Sequence, residues 1–250
     1  MWDIECEKAL FNIRTNLEEV DKAPVITETT VTTQSVKLPK NKFDFSHRLP
    51  DGWKSTLEVN DIQWIAQSVF AGKGVLVSEL KMWWYPPQLP GPDIKTAPVV
   101  DSYFHRRIFL WMPRKMWAFD FKCPNPICRN QSSLTSKGLY NRVRSVIDIK
   151  DRYYLAAEYL ECRTCNKTFI SYDSRLIDQL PENLRTRFPI VLTWKFACDQ
   201  SVVCLMRSRT LGNSPTAVCN DIHELQTEEW MRKSLRTSVT VNVNNKVWSG

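Results

Sequence analysis

Two pairs of cysteines carry the clearest chemistry in the chain: Cys123 and Cys128 in CPNPIC, and Cys162 and Cys165 in CRTC. Written as spacings they read C-x4-C-x33-C-x2-C. A tetrahedral Zn2+ takes four thiolate or imidazole donors at about 2.0–2.3 Å. Two sequence-close pairs on tight turns supply them with little loop-closure cost. Four thiolates close the coordination sphere, so the pattern predicts a structural zinc site and points to recognition rather than to catalysis at the metal. The first knuckle is x4 where x2 is common, and four buried thiols in a small sheet are the alternative.

Ligands of this kind need strands to aim them. Cys123 follows a strand-like run, and Pro124 and Pro126 tighten the turn after it. KGLYNRVRSVIDI, a Lys150-Asp151 turn and RYYLAAEYLEC form a predicted hairpin that leads into the second knuckle, and NKTFISYD supplies a third strand. Strand, knuckle, hairpin, knuckle, strand is the order of a zinc ribbon with a small antiparallel sheet. Such an insert buries too little apolar surface to fold without its metal.

The other cysteines have weaker patterns. Cys198, Cys204 and Cys219 lie near His223, and Cys219 with His223 makes a Cys-x3-His pair suited to one helix face. A second metal site would use them; helix-core thiols are the default reading. Cys6 has no partner pattern. The chain starts with acidic residues and no apolar leader, so the expectation is reduced, metal-bound cysteines in an intracellular, nuclear protein. No apolar run approaches membrane-spanning length, since FPIVLTWKFACDQSVVCLM is interrupted by Lys195 and Asp199.

Charge is unevenly placed. Residues 1–100 hold 11 Lys/Arg against 13 Asp/Glu, and residues 101–250 hold 23 against 14, within a formal net charge of +7. A basic second half calls for an acidic partner, nucleic acid being the commonest. In YFHRRIFLWMPRKMWAFDFK basic residues alternate with aromatics, a pattern that combines cationic grip with base stacking. Two half-buried strands broken at Pro113, with Arg106, Arg107, Arg114 and Lys115 facing solvent, explain the same alternation.

Along the chain, residues 1–48 read as a disordered lead-in in which Glu5 to Val20 could form one helix. Residues 49–102 read as a turn, a helix and an extended segment. Asn60 or Asp61 lies near the helix N-cap, with Ile62, Ile65, Ala66 and Val69 on one stripe. The five prolines of KMWWYPPQLPGPDIKTAP then force an extended path. That strip is either a docking ligand or a belt pinned over the protein's own core by Trp83 and Trp84.

The zinc ribbon occupies 103–175, and residues 176–240 read as a helical module of helices joined by short turns, before a disordered tail at 241–250. Asp199 caps one helix, Gly212 ends it, and Ser214-Pro215 starts the next, with Thr227 opening a last helix around Trp230. Two helices about a Gly-containing turn have helix-turn-helix proportions. The second would offer Ser214, Thr216, Asn220 and His223 to base edges, while Arg207 and Arg209 grip the backbone. Asp221 and Glu224 on the same helix oppose this, and a purely structural helical subdomain is the competing reading.

The segments WWYPPQLP, FHRRIFLWMPRKMW, CPNPIC, KGLYNRVRSVIDI, YYLAAEYLECRTC, LPENLRTRFP and LGNSPTAV together resemble an uncharacterised zinc-ribbon domain family found in multi-copy fish and fungal genes of mobile-element character. The resemblance covers residues 49–240. It implies the recognition region of a transposase-derived protein, with both Cys pairs as metal ligands and the following helices as a DNA-binding element.

No catalytic constellation is expected, because Asp148, Asp151, Asp173, Asp178 and Glu182 are scattered among strand ends and caps. The sequence thus predicts an α+β protein, zinc-stabilised and bound to nucleic acid, in particular double-stranded DNA. Arg106, Arg107, Arg114, Lys115, Arg142, Arg144, Arg207 and Arg209 are the candidate phosphate contacts. A zinc-stabilised scaffold that binds protein through the Pro/Trp strip is the alternative. Neither a membrane nor a small-molecule substrate is expected.

Overall fold

The computed structural model describes residues 44–86, 104–128, 132–206 and 214–248. They form a mixed α/β structure around a curled eight-stranded sheet, a half-barrel with both parallel and antiparallel pairs. This is larger and topologically different from the small antiparallel sheet predicted.

Strand β5 (Arg152–Glu161) is its spine. Its first half is flanked by β2 (Ile108–Trp111), which runs parallel to it, and by β4 (Arg144–Ile147), which runs antiparallel. Its second half is flanked by β3 (Thr135–Leu139) and β6 (Thr168–Ile170), both antiparallel. Next to the cysteines the sheet is locally the antiparallel trio β3-β5-β6, whose central strand continues into the main sheet. At the edges, β1 (Trp84–Tyr85) pairs with β2, while β8 (Ala197–Asp199) lies parallel to β4 and pairs with β7 (Ile190–Leu192).

All four residues of β2 are buried. A strand covered on both faces reads as a continuous apolar run, and IFLW does so. The strip before it is pinned on the core: Trp84 stacks on Phe109 at 4.4 Å between ring centroids, and Trp83 meets Trp117 edge-on at 6.1 Å. The prolines at 87–98 lie outside the described residues.

Helix α1 (Asp51–Lys54) and helix α2 (Val59–Val69) cap this core. Ile62, Ile65, Ala66 and Val69 form the buried stripe read from the sequence, whereas Glu58, not Asn60 or Asp61, occupies the N-cap position. Trp53 is fully buried, and its Nε1 donates to the Tyr140 carbonyl at 2.6 Å. Gly52 makes this approach feasible, since a Cβ there would lie 2.0 Å from the Asn141 carbonyl oxygen. Residues 46–48 of the predicted lead-in form a short 3-10 turn, and Arg48 donates to the Gly74 carbonyl at 2.5 Å. The helix predicted from Glu5 to Val20 lies outside the described residues.

Pro113 does not separate two strands. It is the first residue of helix α3 (Pro113–Trp117), where its missing N–H is not required. Helix α4 (Ser174–Ile177) is capped by Asp173, whose side chain accepts from the Arg175 amide, and helix α5 (Glu182–Arg185) follows.

The stretch 176–240 is not wholly helical, because it contributes β7 and β8 to the sheet. Helix α6 (Gln200–Met206) packs through Val202 and Val203 against Val218, Cys219 and Ile222 of helix α7 (Pro215–Trp248). Helix α7 is continuous through Thr227, whose hydroxyl donates to the His223 carbonyl instead of capping a new helix. It also runs through 241–248, which had been expected to be tail. No helix among the described residues is long and apolar enough to cross a membrane.

Candidate metal centre and basic groove

The four predicted ligands converge. The sulfurs of Cys123, Cys128, Cys162 and Cys165 all lie within 4.8 Å of one another. Cys123 to Cys165 is 3.7 Å and Cys128 to Cys162 is 3.8 Å. Disulfide sulfurs would stand about 2.05 Å apart. Four sulfurs at about 2.3 Å from a central ion would instead stand about 3.8 Å apart along each tetrahedral edge. The observed spacing fits one ion held by four thiolates.

Local structure aims each ligand. In the second knuckle the Asn166 amide donates to the Cys162 carbonyl at 2.8 Å, and the Cys162 amide donates to Lys167 O at 3.0 Å. Asn166 takes the left-handed conformation that closes this turn, with φ of 54°. In the first knuckle the Cys128 amide donates to the Asn125 carbonyl.

Burial pushes the Cys123 thiol up to about 12, so at neutral pH it ionises only when a cation takes the place of its proton. A hydrogen bond from Ser132, 3.1 Å away, pulls Cys162 down to about 6. Hydrogen bonding to Asn125 lowers Cys165. Three of the four are buried and Cys165 is part-exposed.

The four-cysteine cluster is the one metal-ligating group found among the described residues. Cys198 and Cys219 are buried in the small core beside α6, Cys204 is exposed, and no second ligand group gathers around His223 among the described residues. Burial raises the Cys219 thiol, as befits an inert core residue.

The predicted phosphate contacts separate into distinct roles. Lys115 is buried, donating to the Val77 carbonyl at 2.9 Å with the Glu158 carboxylate 3.9 Å away. It cannot reach a phosphate. Arg107 pairs with Asp148 at 2.9 Å and lies over the rings of Trp84 and Tyr153. Arg114 donates to the Leu134 carbonyl beside Asp120, and Arg106 lies over the Tyr154 ring. The fold thus uses these four largely for itself. Arg207 and Arg209 lie outside the described residues.

Ser214 accepts the Ala217 amide at 3.1 Å and so acts as a cap. Thr216 and Asn220 are exposed on α7 beside Asp221 and Glu224. Residues 207–213, which carry the predicted turn at Gly212 between α6 and α7, lie outside the described residues.

Arg142 and Arg144 belong to a different feature. They line an open groove of about 910 Å³ together with Arg152 and Lys195. Tyr140, Tyr172, Trp194 and Phe196 supply its aromatic surface, and no Asp or Glu lines it. Arg142, Trp194 and Lys195 are exposed. Arg144 points its guanidinium into the β7–β8 turn, donating to the carbonyls of Thr193 at 3.0 Å and Phe196 at 2.9 Å. It positions the turn instead of offering a free charge.

Sequence reading missed Trp194 and Lys195 as site residues because 176–240 was taken as helices joined by short turns, and Arg152 because it was read only as the start of a hairpin strand. The pair between the two short apolar runs, Trp194-Lys195, is none of the dipeptides that mark a hairpin turn.

No curated protein and no solved structure matches the chain. A family model described as "Domain of unknown function (DUF6729)" matches residues 53–247. That span includes the whole cysteine cluster and every residue of the groove, and the chain belongs to this family.

Proposed function

We propose that the protein is a zinc-stabilised nucleic-acid-binding module. A tetrahedral four-sulfur set suits Zn2+, with iron as the other common occupant, and a closed set serves folding rather than catalysis. The observation that carries the binding function is the groove: exposed Arg142 and Lys195, four aromatic side chains and no acid in its lining. Phosphate needs the cations, and bases offer flat faces to the rings. On the helix expected to read double-stranded DNA, Asp221 and Glu224 stand beside Thr216 and Asn220, whereas the groove is lined by no acid and supports the nucleic-acid reading better.

The test is fluorescence anisotropy of labelled oligonucleotides, single- and double-stranded, across a salt series. Binding should weaken with a log–log slope of about −0.7 to −0.9 for each phosphate neutralised. Arg142→Glu with Lys195→Glu should abolish it. Binding that ignored both salt and these substitutions would defeat the proposal.

A second reading, a protein-binding scaffold, is favoured by Trp230, Met231 and Leu235, which are exposed on α7.

A further inference from the structure

Trp194 is 91% exposed, the most open of the large apolar side chains among the described residues. Tryptophan is rarely left this open, because its ring carries a large apolar surface. Here it stands at the tip of the β7–β8 hairpin beside Lys195 and at the rim of the basic groove.

The tip is held from several directions. The Thr193 amide donates to the Phe196 carbonyl at 2.9 Å, and the Phe196 amide donates back to the Thr193 hydroxyl at 3.0 Å. Arg144 grips the carbonyls of both residues from below. An aromatic ring on a braced two-residue tip is preorganised, so little ordering cost falls on binding.

We infer that the groove takes a single-stranded nucleic-acid segment, with a base stacked on Trp194 and the flanking phosphates on Arg142 and Lys195. This deepens the nucleic-acid reading and rests on it. A base inside a duplex hides both faces against its neighbours, whereas a single strand exposes them to a ring. Arg142 and Lys195, both exposed on one groove, match successive phosphates of a backbone that carries one at every nucleotide, while Arg144 holds the hairpin tip in place. The volume of about 910 Å³ lies toward the top of the roughly 300–1,000 Å³ typical of ligand pockets. That is room for more than a lone anion.

The experiment uses the full zinc-loaded chain and two fluorescein-labelled probes, an oligothymidylate of about 12 nucleotides and a duplex of the same length. Parent protein should bind the single strand more tightly than the duplex. Trp194→Ala should weaken single-strand binding about five- to a hundredfold, and Trp194→Phe should restore most of the loss. Because the side chain is exposed, neither variant should unfold, and matching thermal melts will verify it.

Four results would overturn the inference. Tighter binding of the duplex would do so, as would parent-like single-strand binding by Trp194→Ala; either leaves salt-dependent nucleic-acid binding standing. Displacement of the oligothymidylate by polyglutamate as readily as by unlabelled oligothymidylate would assign the groove to an acidic protein segment. Failure of both probes to bind at low salt would remove the nucleic-acid reading together with this one.

Discussion

Cys128 and Cys162 are 34 positions apart in the chain, and their sulfurs stand 3.8 Å from each other. That distance is too long for a disulfide and suits two thiolates sharing an ion. The first prediction is one equivalent of zinc per chain by elemental analysis of purified protein. Binding of a structural zinc contributes on the order of 10 kcal/mol to folding. Cys162→Ser should therefore remove the cooperative thermal transition, and a strong chelator should do the same to the parent. A well-folded chain without bound metal would refute the assignment.

Gly52 tests the seat of the groove's outer loop. A methyl group there would lie 2.0 Å from a backbone oxygen, and the backbone cannot rotate away as a side chain could. Gly52→Ala should cost about 1–3 kcal/mol in chemical denaturation. It should also displace the Tyr140–Arg142 segment that Trp53 holds. An unchanged midpoint would show that this loop yields freely.

Glu158 provides a pH signature. Burial holds its carboxyl above the ordinary carboxylate range, opposed by the hydrogen bond from Ser136 and by Lys115. The folded state therefore binds this proton more tightly than the unfolded chain, where Glu titrates near about 4.3. Its stabilising contribution is full below that pH and is lost as pH rises through the elevated folded value. Glu158→Gln, which cannot ionise, should gain melting temperature relative to the parent as pH is raised from about 4 to 7. A difference that stayed flat with pH would contradict this.

Lys115→Met removes the cation 3.9 Å from that carboxylate and should cost about 3–5 kcal/mol at neutral pH. In the Glu158→Gln background the same substitution should cost clearly less. Urea denaturation of all four proteins closes the cycle, and strict additivity would mean the two groups are not coupled.

Arg144→Met should release the β7–β8 tip. Two hydrogen bonds from a charged donor are lost, with an expected cost of about 1.5–3 kcal/mol. Hydrogen exchange should quicken at the Thr193 and Phe196 amides while the β5 amides keep their protection. Equal acceleration in β5 would mean that Arg144 supports the whole sheet.

These residues also show what could be read from sequence. The cysteine spacing and the β4–β5 hairpin were legible because each is local: alternation fixes the strands, and Lys150-Asp151 marks the turn between them. The parallel β2–β5 and β4–β8 pairings were not, since they join residues more than 40 positions apart and leave no periodic trace. Pro113 signals both a strand break and a helix start, and only the packing of Met116 chooses between them. Strands of three residues such as β7 and β8 are shorter than any window in which alternation can be counted. The groove was illegible as a unit because its cations come from separate strands and turns.

Strand β5 enters the cysteine cluster at one end and lines the groove with Arg152 at the other. The metal knuckle is consequently no portable cassette. Excised alone, β3-β5-β6 would expose the apolar flank that β2 covers, and the rest of the sheet would lose its middle. Shuffling or grafting experiments should take the matched span as an indivisible unit, and chimeras that cut within β5 should yield only insoluble fragments.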